Sequence, residues 1–307
     1  VREGGALLYG LFCAPLFAIA GPSFLTLRVS GVLWHTAMLA VFGALAWRLA
    51  RWRGVILLAA LWTLAPPNVV KLQQVGWASH LETAMLGGLA LLALAHAVDE
   101  RRRWPSAAWA VTAGAAAGLA PFFTYSGAGM AAGVLLAALW ARPWRRGWPF
   151  CVALGLGLAL GLTPIFVSRW LWHDPQQYWA LAGGDPMTFL LGGFEASRAP
   201  DGGGFLWRLV RLATRRLPEV MGFHQSPAQL VPVGRIYLLA GAALLALGVT
   251  YKPRPEGEGG ADADTRPSTE SVILVGAGAA VALHFVACAA SDFDVNSLQD
   301  RYLLPLF

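Results

Sequence analysis

The chain has 307 residues, of which 57% are hydrophobic and only 13% are charged. Soluble domains carry about 25% charged residues, so this composition excludes a soluble globular protein and indicates a polytopic protein of the lipid bilayer. The formal net charge of +6 is interpreted as a topology signal, because short basic loops stay in the cytoplasm. No nucleic-acid-binding motif accompanies it, so nucleic acid is not an expected partner.

The first apolar runs predict one surface helix and one membrane span. Ala6–Ala20 is short for a span, and we expect it to form an interfacial or half-buried helix. Ser23 is a plausible N-cap for Leu25–Ala46, which is long enough to cross. Basic residues follow at Arg48–Arg53.

The positions of the basic loops decide whether the next two apolar runs cross the membrane. Arg101, Arg102 and Arg103 follow the apolar run Leu81–Val98. They share the cytoplasmic side with Arg48–Arg53 only if the short run Val55–Val70 crosses as well. The same reasoning predicts four further features, which are the hairpin Pro105–Thr124 and Gly127–Ala141 and the spans Phe150–Ser168, Val233–Thr250 and Val272–Ala290.

These runs are continuous rather than alternating, which predicts an all-α transmembrane bundle and not a barrel. We expect one domain over residues 1–307 with about eight complete spans, an outer loop at 169–232 and a flexible cytoplasmic linker at 251–270. The chain starts without Met, and Arg301–Phe307 resembles the first turn of another span. We therefore expect a fragment that is truncated at both ends.

Within the outer loop, Phe205–Leu217 has helical periodicity. The predicted apolar side contains Phe205, Leu206, Leu209, Leu212 and Ala213, and the basic side contains Arg208, Arg211 and Arg215. One interpretation is a helix in the membrane interface that faces anionic headgroups. The alternative is a solvated amphipathic helix packed on the protein.

Ionisable residues that enter a span are the main candidates for function, because they are expensive there unless they are paired or face water. His80 and Glu82 lie at the start of Leu81–Val98, and we predict a catalytic role for both. The alternative is that they form a solvated helix start in the headgroup region. His35, His96 and His284 are single imidazoles inside or near spans and are interpreted as packing residues.

The pair Asp292 and Asp294 has the short Asp-x-Asp spacing seen in sugar transferases. Two carboxylates could hold a divalent cation, which would be the expected cofactor. Because acidic pairs are common in polar loops, a solvated loop is the competing interpretation.

Three stretches together resemble the multi-span lipid-linked-sugar glycosyltransferases of the GT-C class, which include the protein O-mannosyltransferase and aminoarabinose transferase relatives. The first is Gly5–Tyr9 followed by Phe17–Ser23 and Leu27-Arg28. The second is Gly76–Thr83, similar to the outer loop in which an acid marks the start of the fourth span. The third is Ser291–Phe307, similar to a late outer loop that leads into a span.

The resemblance implies an inverting transfer from a polyprenyl-phosphate sugar to an acceptor on the outer, periplasmic face of the inner membrane. Its members place a catalytic acid in the first outer loop, which would precede Val1. Glu82 matches the second acid by position, although Asp is commoner there in several branches. That departure leaves the subfamily and the metal requirement open.

The chemistry of such a transfer suggests further roles. A carboxylate can take the acceptor's proton, and guanidinium groups can stabilise the leaving lipid phosphate. Arg301, beside Tyr302, is the first candidate for binding that phosphate, and Arg208, Arg211 and Arg215 are the second. The alternatives to the enzyme are a polytopic transporter or lipid-linked sugar flippase and a non-catalytic membrane scaffold.

Overall fold

The computed structural model describes residues 5–65, 80–99, 103–123, 127–141, 148–171, 204–217, 235–236, 239 and 268–290. These residues are helical almost throughout and contain no strand. The helices are α1 (Gly5–Ala20), α2 (Phe24–Thr63), α3 (His80–Asp99), α4 (Arg103–Phe123), α5 (Gly127–Trp140), α6 (Trp148–Leu171), α7 (Phe205–Arg211, continued by a π-helical turn over Leu212–Arg216) and α8 (Thr269–Ala290).

The helix positions confirm most of the predicted segments. Ser23 caps α2 by accepting a hydrogen bond from the Thr26 backbone N–H at 3.1 Å. Helix α8 begins at Thr269, inside the predicted linker 251–270, and residues 251–267 of that linker lie outside the described residues. Of the predicted span Val233–Thr250, only residues 235, 236 and 239 are described.

The long helix α2 consists of two arms. Ala50 and Arg51 have non-helical backbone angles, and Arg51 has a φ of 53°. A Cβ atom added to Gly54 would lie 2.2 Å from the carbonyl oxygen of Ala46, although eight residues of straight helix would separate the two by about 12 Å. The chain therefore turns back on itself at Arg51, as the prediction of two separate segments requires.

The directions of the other helices alternate along the chain. Met38 on α2 packs with Leu81 and Met85 near the start of α3, and Arg48 on α2 pairs with Asp99 at the end of α3, so the first arm of α2 runs parallel to α3. Helix α8 runs antiparallel to α3, because Gly276 approaches Leu91 and Thr269 reaches Asp99. These directions agree with the sequence of alternating crossings that the positions of the basic loops predict.

Glycines set the closest helix contact, between the parallel helices α4 and α6. Added Cβ atoms on Gly114 and Gly118 would lie 2.2 and 2.4 Å from carbonyl oxygens of α6. The same atoms on Gly157 and Gly161 would lie 2.1 and 2.2 Å from carbonyl oxygens of α4. Small residues four positions apart let helix backbones approach this closely. The glycines at positions 155, 157 and 161 of the sequence predict close helix packing, and Gly157 and Gly161 confirm it. Gly155 has nothing within 4 Å and takes no part.

Five of the described helical segments are long and apolar enough to cross a membrane, which supports association with a lipid bilayer. They are Phe24–Thr63, Leu81–Asp99, Pro105–Phe123, Trp148–Val167 and Thr269–Val286. Two shorter apolar helices, Tyr9–Ala20 and Gly127–Trp140, accompany them. The bundle has two ends, called here the Glu82 end, where α3 begins, and the Arg48 end, where α3 finishes.

Candidate functional site

Glu82 lies in the first turn of α3 and is almost fully buried, with 2% of its surface exposed. Thr83 beside it is 0% exposed. An acid in the first turn interacts favourably with the helix dipole, but burying a carboxylate still costs several kcal/mol. The prediction of a solvated helix start is therefore wrong for Glu82, which lies inside the bundle.

The neighbours of α3 indicate which side Glu82 occupies. His96 is 14 residues further on, about four helical turns, and so lies on the same face as Glu82. The His96 ring stacks on Trp109 of α4 with centroids 4.7 Å apart. Since His96 also contacts Arg48 of α2, Glu82 lies on the side of α3 that faces α2 and α4. His80 begins α3, but positions two apart on a helix do not face each other, so a direct pair between the two predicted catalytic residues is not expected.

The charge of Glu82 affects the pKa of Tyr9 on α1. Burial raises the pKa of the Tyr9 phenol to about 12, and the nearby Cys13 and Glu82 add to the rise. The Ser30 hydroxyl donates to the Leu27 carbonyl oxygen at 2.7 Å. Its oxygen is therefore left to accept from the Tyr9 hydroxyl at 3.0 Å and the Cys13 thiol at 3.2 Å. Tyr9 is thus a protonated hydrogen-bond donor at neutral pH.

An aromatic cluster adjoins this network. The Trp34 ring lies 6.2 Å from Tyr9, 5.1 Å from Phe12 and 6.3 Å from Phe123 of α4, centroid to centroid. Trp34 also packs against the cluster of Met38, Leu81 and Met85, which places it at the level of the first turn of α3. Its buried indole N–H has no hydrogen-bond acceptor among the described residues.

Two histidines that the sequence assigns to packing belong to the same end. The Nδ1 atom of His35 lies 2.6 Å from the Gly31 carbonyl oxygen and so carries the proton, which leaves Nε2 buried without a donor among the described residues. His284 is 2% exposed. It lies two turns beyond Gly276, and since α3 and α8 are antiparallel, this is the level of Thr83.

The sequence did not predict that these two histidines lie at the same end of the bundle as Glu82, because an isolated imidazole in an apolar run does not indicate its neighbours. The grouping of Tyr9 with Ser30 and Trp34 was not predicted either, since it joins two helices, α1 and α2. One signal was present in the sequence, because Tyr9 and Cys13 are four residues apart and so share a helix face.

The predicted basic side of α7 does not face outward. Arg208 is buried, with 3% of its surface exposed, and Leu212 is fully buried beside it, while Leu206 and Val210 are exposed. The predicted apolar side of Phe205, Leu206, Leu209, Leu212 and Ala213 is therefore divided, with Leu212 buried and Leu206 and Ala213 exposed. Arg211 is half-buried, with its guanidinium carbon 4.8 Å from the centre of the Trp207 ring. Arg215 lies in the π-helical turn.

The remaining predicted site residues, Arg301, Tyr302, Asp292 and Asp294, lie outside the described residues. Within the described ranges, no group of three His, Cys, Asp or Glu side chains could hold a metal ion. The cation hypothesis thus stays a prediction that rests on Asp292 and Asp294.

The Arg48 end holds a different set of charges. Arg48 forms a salt bridge with Asp99, which also accepts a hydrogen bond from Thr269 of α8. A second nitrogen of Arg48 lies 2.8 Å from Nδ1 of His96. The Arg48 side chain is 22% exposed and the Asp99 side chain 46%. These contacts join α2, α3 and α8 through partly solvated groups.

The fold and the apolar helices define an all-helical protein of the membrane class. Comparisons with protein-family models, curated proteins and solved structures find no match to the chain.

Proposed function

We propose that the protein is a membrane glycosyltransferase of the GT-C type. It transfers a sugar from a polyprenyl-phosphate donor to an acceptor on the outer face of the inner membrane. The observation that carries the proposal is Glu82, a carboxylate that is 2% exposed at one end of a bundle of apolar helices. An ionisable group kept at such cost inside a membrane protein is a functional candidate, and the sequence around it resembles the GT-C outer loop.

The proposed reaction needs a base and a stabilised leaving group. The acceptor oxygen attacks the anomeric carbon, the bond from that carbon to the phosphate oxygen breaks, and the lipid phosphate leaves with the bonding electrons. The acceptor hydroxyl loses its proton to a carboxylate. We assign to Glu82 the orientation of the acceptor and a part in this proton transfer, and a second catalytic role to His80 at the start of the same helix.

The lipid phosphate requires cationic groups where its charge develops. Arg208 and Arg211 support this role because guanidinium groups bind phosphate in a bidentate manner, and Arg208 is directed into the protein rather than into water. Arg215, Arg301 and Tyr302 complete the proposed donor site.

The proposed topology has about eight crossings in the inner membrane. The two arms of α2 count separately and α3 to α6 add four more, with the segment 233–250 and α8 as the last two. In this arrangement the Glu82 end faces the periplasm, and the Arg48 end, next to the basic loops, faces the cytoplasm. The alternating helix directions support this arrangement.

Transfer and lipid translocation are separated by one assay on the full-length protein in liposomes. A fluorescent polyprenyl-phosphate sugar and a hydroxyl acceptor are supplied, and products are separated by chromatography. We expect free polyprenyl phosphate and glycosylated acceptor in equal amounts. Movement of intact donor between leaflets, with its sugar bond unbroken, would instead identify a flippase.

A further inference from the structure

Helix α7 exposes an apolar face to its surroundings. Leu206 is 70% exposed, Val210 is 53% exposed and Trp207 is 42% exposed. On the opposite side, Arg208 and Leu212 are buried, and α7 packs against the span helix α8. The outward face of α7 therefore presents large apolar side chains, while one of its arginines is turned inward.

Water would not select the exposure of this face. A helix on a soluble surface buries its large leucine and valine side chains, whereas Leu206 and Val210 are more than half exposed. Exposing these side chains is favourable when the outside is itself apolar. Hydrocarbon meets this condition, and bulk water does not.

Two further features favour lipid over a protein partner. Trp207 and the Arg211 guanidinium above its ring, 4.8 Å from its centre, combine an aromatic ring that prefers the headgroup level with a cation that attracts anionic headgroups. The face is also continuous with a bilayer-facing surface, since α7 packs on α8, one of the helices long and apolar enough to span.

We propose that α7 is embedded in the surface of the lipid bilayer, with Leu206, Trp207 and Val210 in the lipid and Arg208 turned toward the protein. This placement anchors the segment between two predicted spans to the membrane. The proposal does not depend on glycosyl transfer, because it rests on burial alone.

Site-directed spin labelling tests it. A nitroxide is placed at Leu206 or at Val210 in full-length protein whose natural cysteines are replaced, and the protein is reconstituted in liposomes of phosphatidylethanolamine and phosphatidylglycerol. Power saturation then compares collisions with oxygen, which dissolves in lipid, and with a water-soluble nickel chelate. Both positions are exposed, so the labels displace no packed side chain, and the use of two positions keeps the test informative if one variant misfolds.

Two control positions set the scale. Leu160 of α6 is 63% exposed in the middle of a span-length helix, and Ser268 is an exposed residue just before α8. We expect labels at Leu206 and Val210 to favour oxygen as Leu160 does, and Ser268 to favour nickel. Nickel-dominated relaxation at both α7 positions would place the helix in water. Weak collisions with both reagents would mean that protein covers the face, and either result overturns the proposal.

Discussion

The two ends of the bundle hold acidic residues of similar chemistry in opposite environments. At the Arg48 end, the Asp99 side chain keeps 46% of its surface exposed and pairs with Arg48 and Thr269. At the Glu82 end, the whole Glu82 residue keeps 2% and lies near a protonated tyrosine. A half-exposed ion pair contributes little to stability and is easily replaced, whereas a buried carboxylate is costly to retain. The difference indicates that the contacts of Arg48, Asp99 and Thr269, called here the clamp, only join helices, and that the Glu82 end is the candidate site of chemistry.

The largest expected effect on stability is at the glycines between the two ends, which let α4 pack closely against α6. Gly157→Val would force a side chain into Val111, whose carbonyl oxygen is 2.1 Å from the added Cβ position. Since the obstacle is backbone, we expect a loss of about 3 kcal/mol or more of stability, measured as a lower Tm in detergent. Gly155→Val is the matched control on the same helix, because nothing lies within 4 Å of its added Cβ. Equal Tm losses in the two variants would show that the helices are not in this contact.

A smaller effect is expected at the clamp. Asp99→Asn removes the charge that Arg48 pairs with, and because the pair is partly solvated we expect a loss below about 1 kcal/mol that shrinks further in high salt. Thermal unfolding at two salt concentrations measures it. Glu270→Gln, at an exposed acid in the first turn of α8, should change the Tm less than Asp99→Asn does. A large, salt-independent loss for Asp99→Asn would mean that this end is as buried as the other.

The Tyr9 hydroxyl is expected to contribute slightly more to stability than the Arg48–Asp99 pair. Tyr9→Phe removes one hydrogen bond and should cost about 1 kcal/mol, whereas Ser30→Ala should cost more, because it leaves a buried phenol without its acceptor. The ranking is read from Tm values at neutral pH.

The pH dependence gives the same test a second readout. The folded-state pKa of Tyr9 is raised above the ordinary value of 10.0 to about 12. The stabilisation is therefore complete below pH 10 and is lost as the pH rises from 10 to 12. The wild-type protein should lose more stability over that window than Tyr9→Phe. Identical profiles would remove Tyr9 from the buried network.

Most of the helix positions could be predicted from the sequence, because apolar run length and basic loops are local signals. The turn at Arg51 follows from these signals, and the role of Gly157 follows from the spacing of small residues in its apolar run. The burial of Arg208 could not be predicted from them, since helical periodicity shows which residues share a face of α7 but not which face meets the protein. The placement of Tyr9, Trp34 and His284 at the Glu82 end depends on how α1, α2 and α8 pack around α3, and no single segment contains that information.

The central claim is that chemistry belongs to the Glu82 end and not to the Arg48 end. The most direct test measures sugar transfer from a polyprenyl-phosphate donor by full-length Glu82→Gln and Asp99→Asn variants, which make the same change from carboxylate to amide. We expect Glu82→Gln to reduce turnover at least about tenfold, or roughly 1.4 kcal/mol of barrier, while the protein remains folded, and Asp99→Asn to leave it near the wild-type rate. Wild-type turnover in Glu82→Gln, or an equal loss in both variants, would contradict the account.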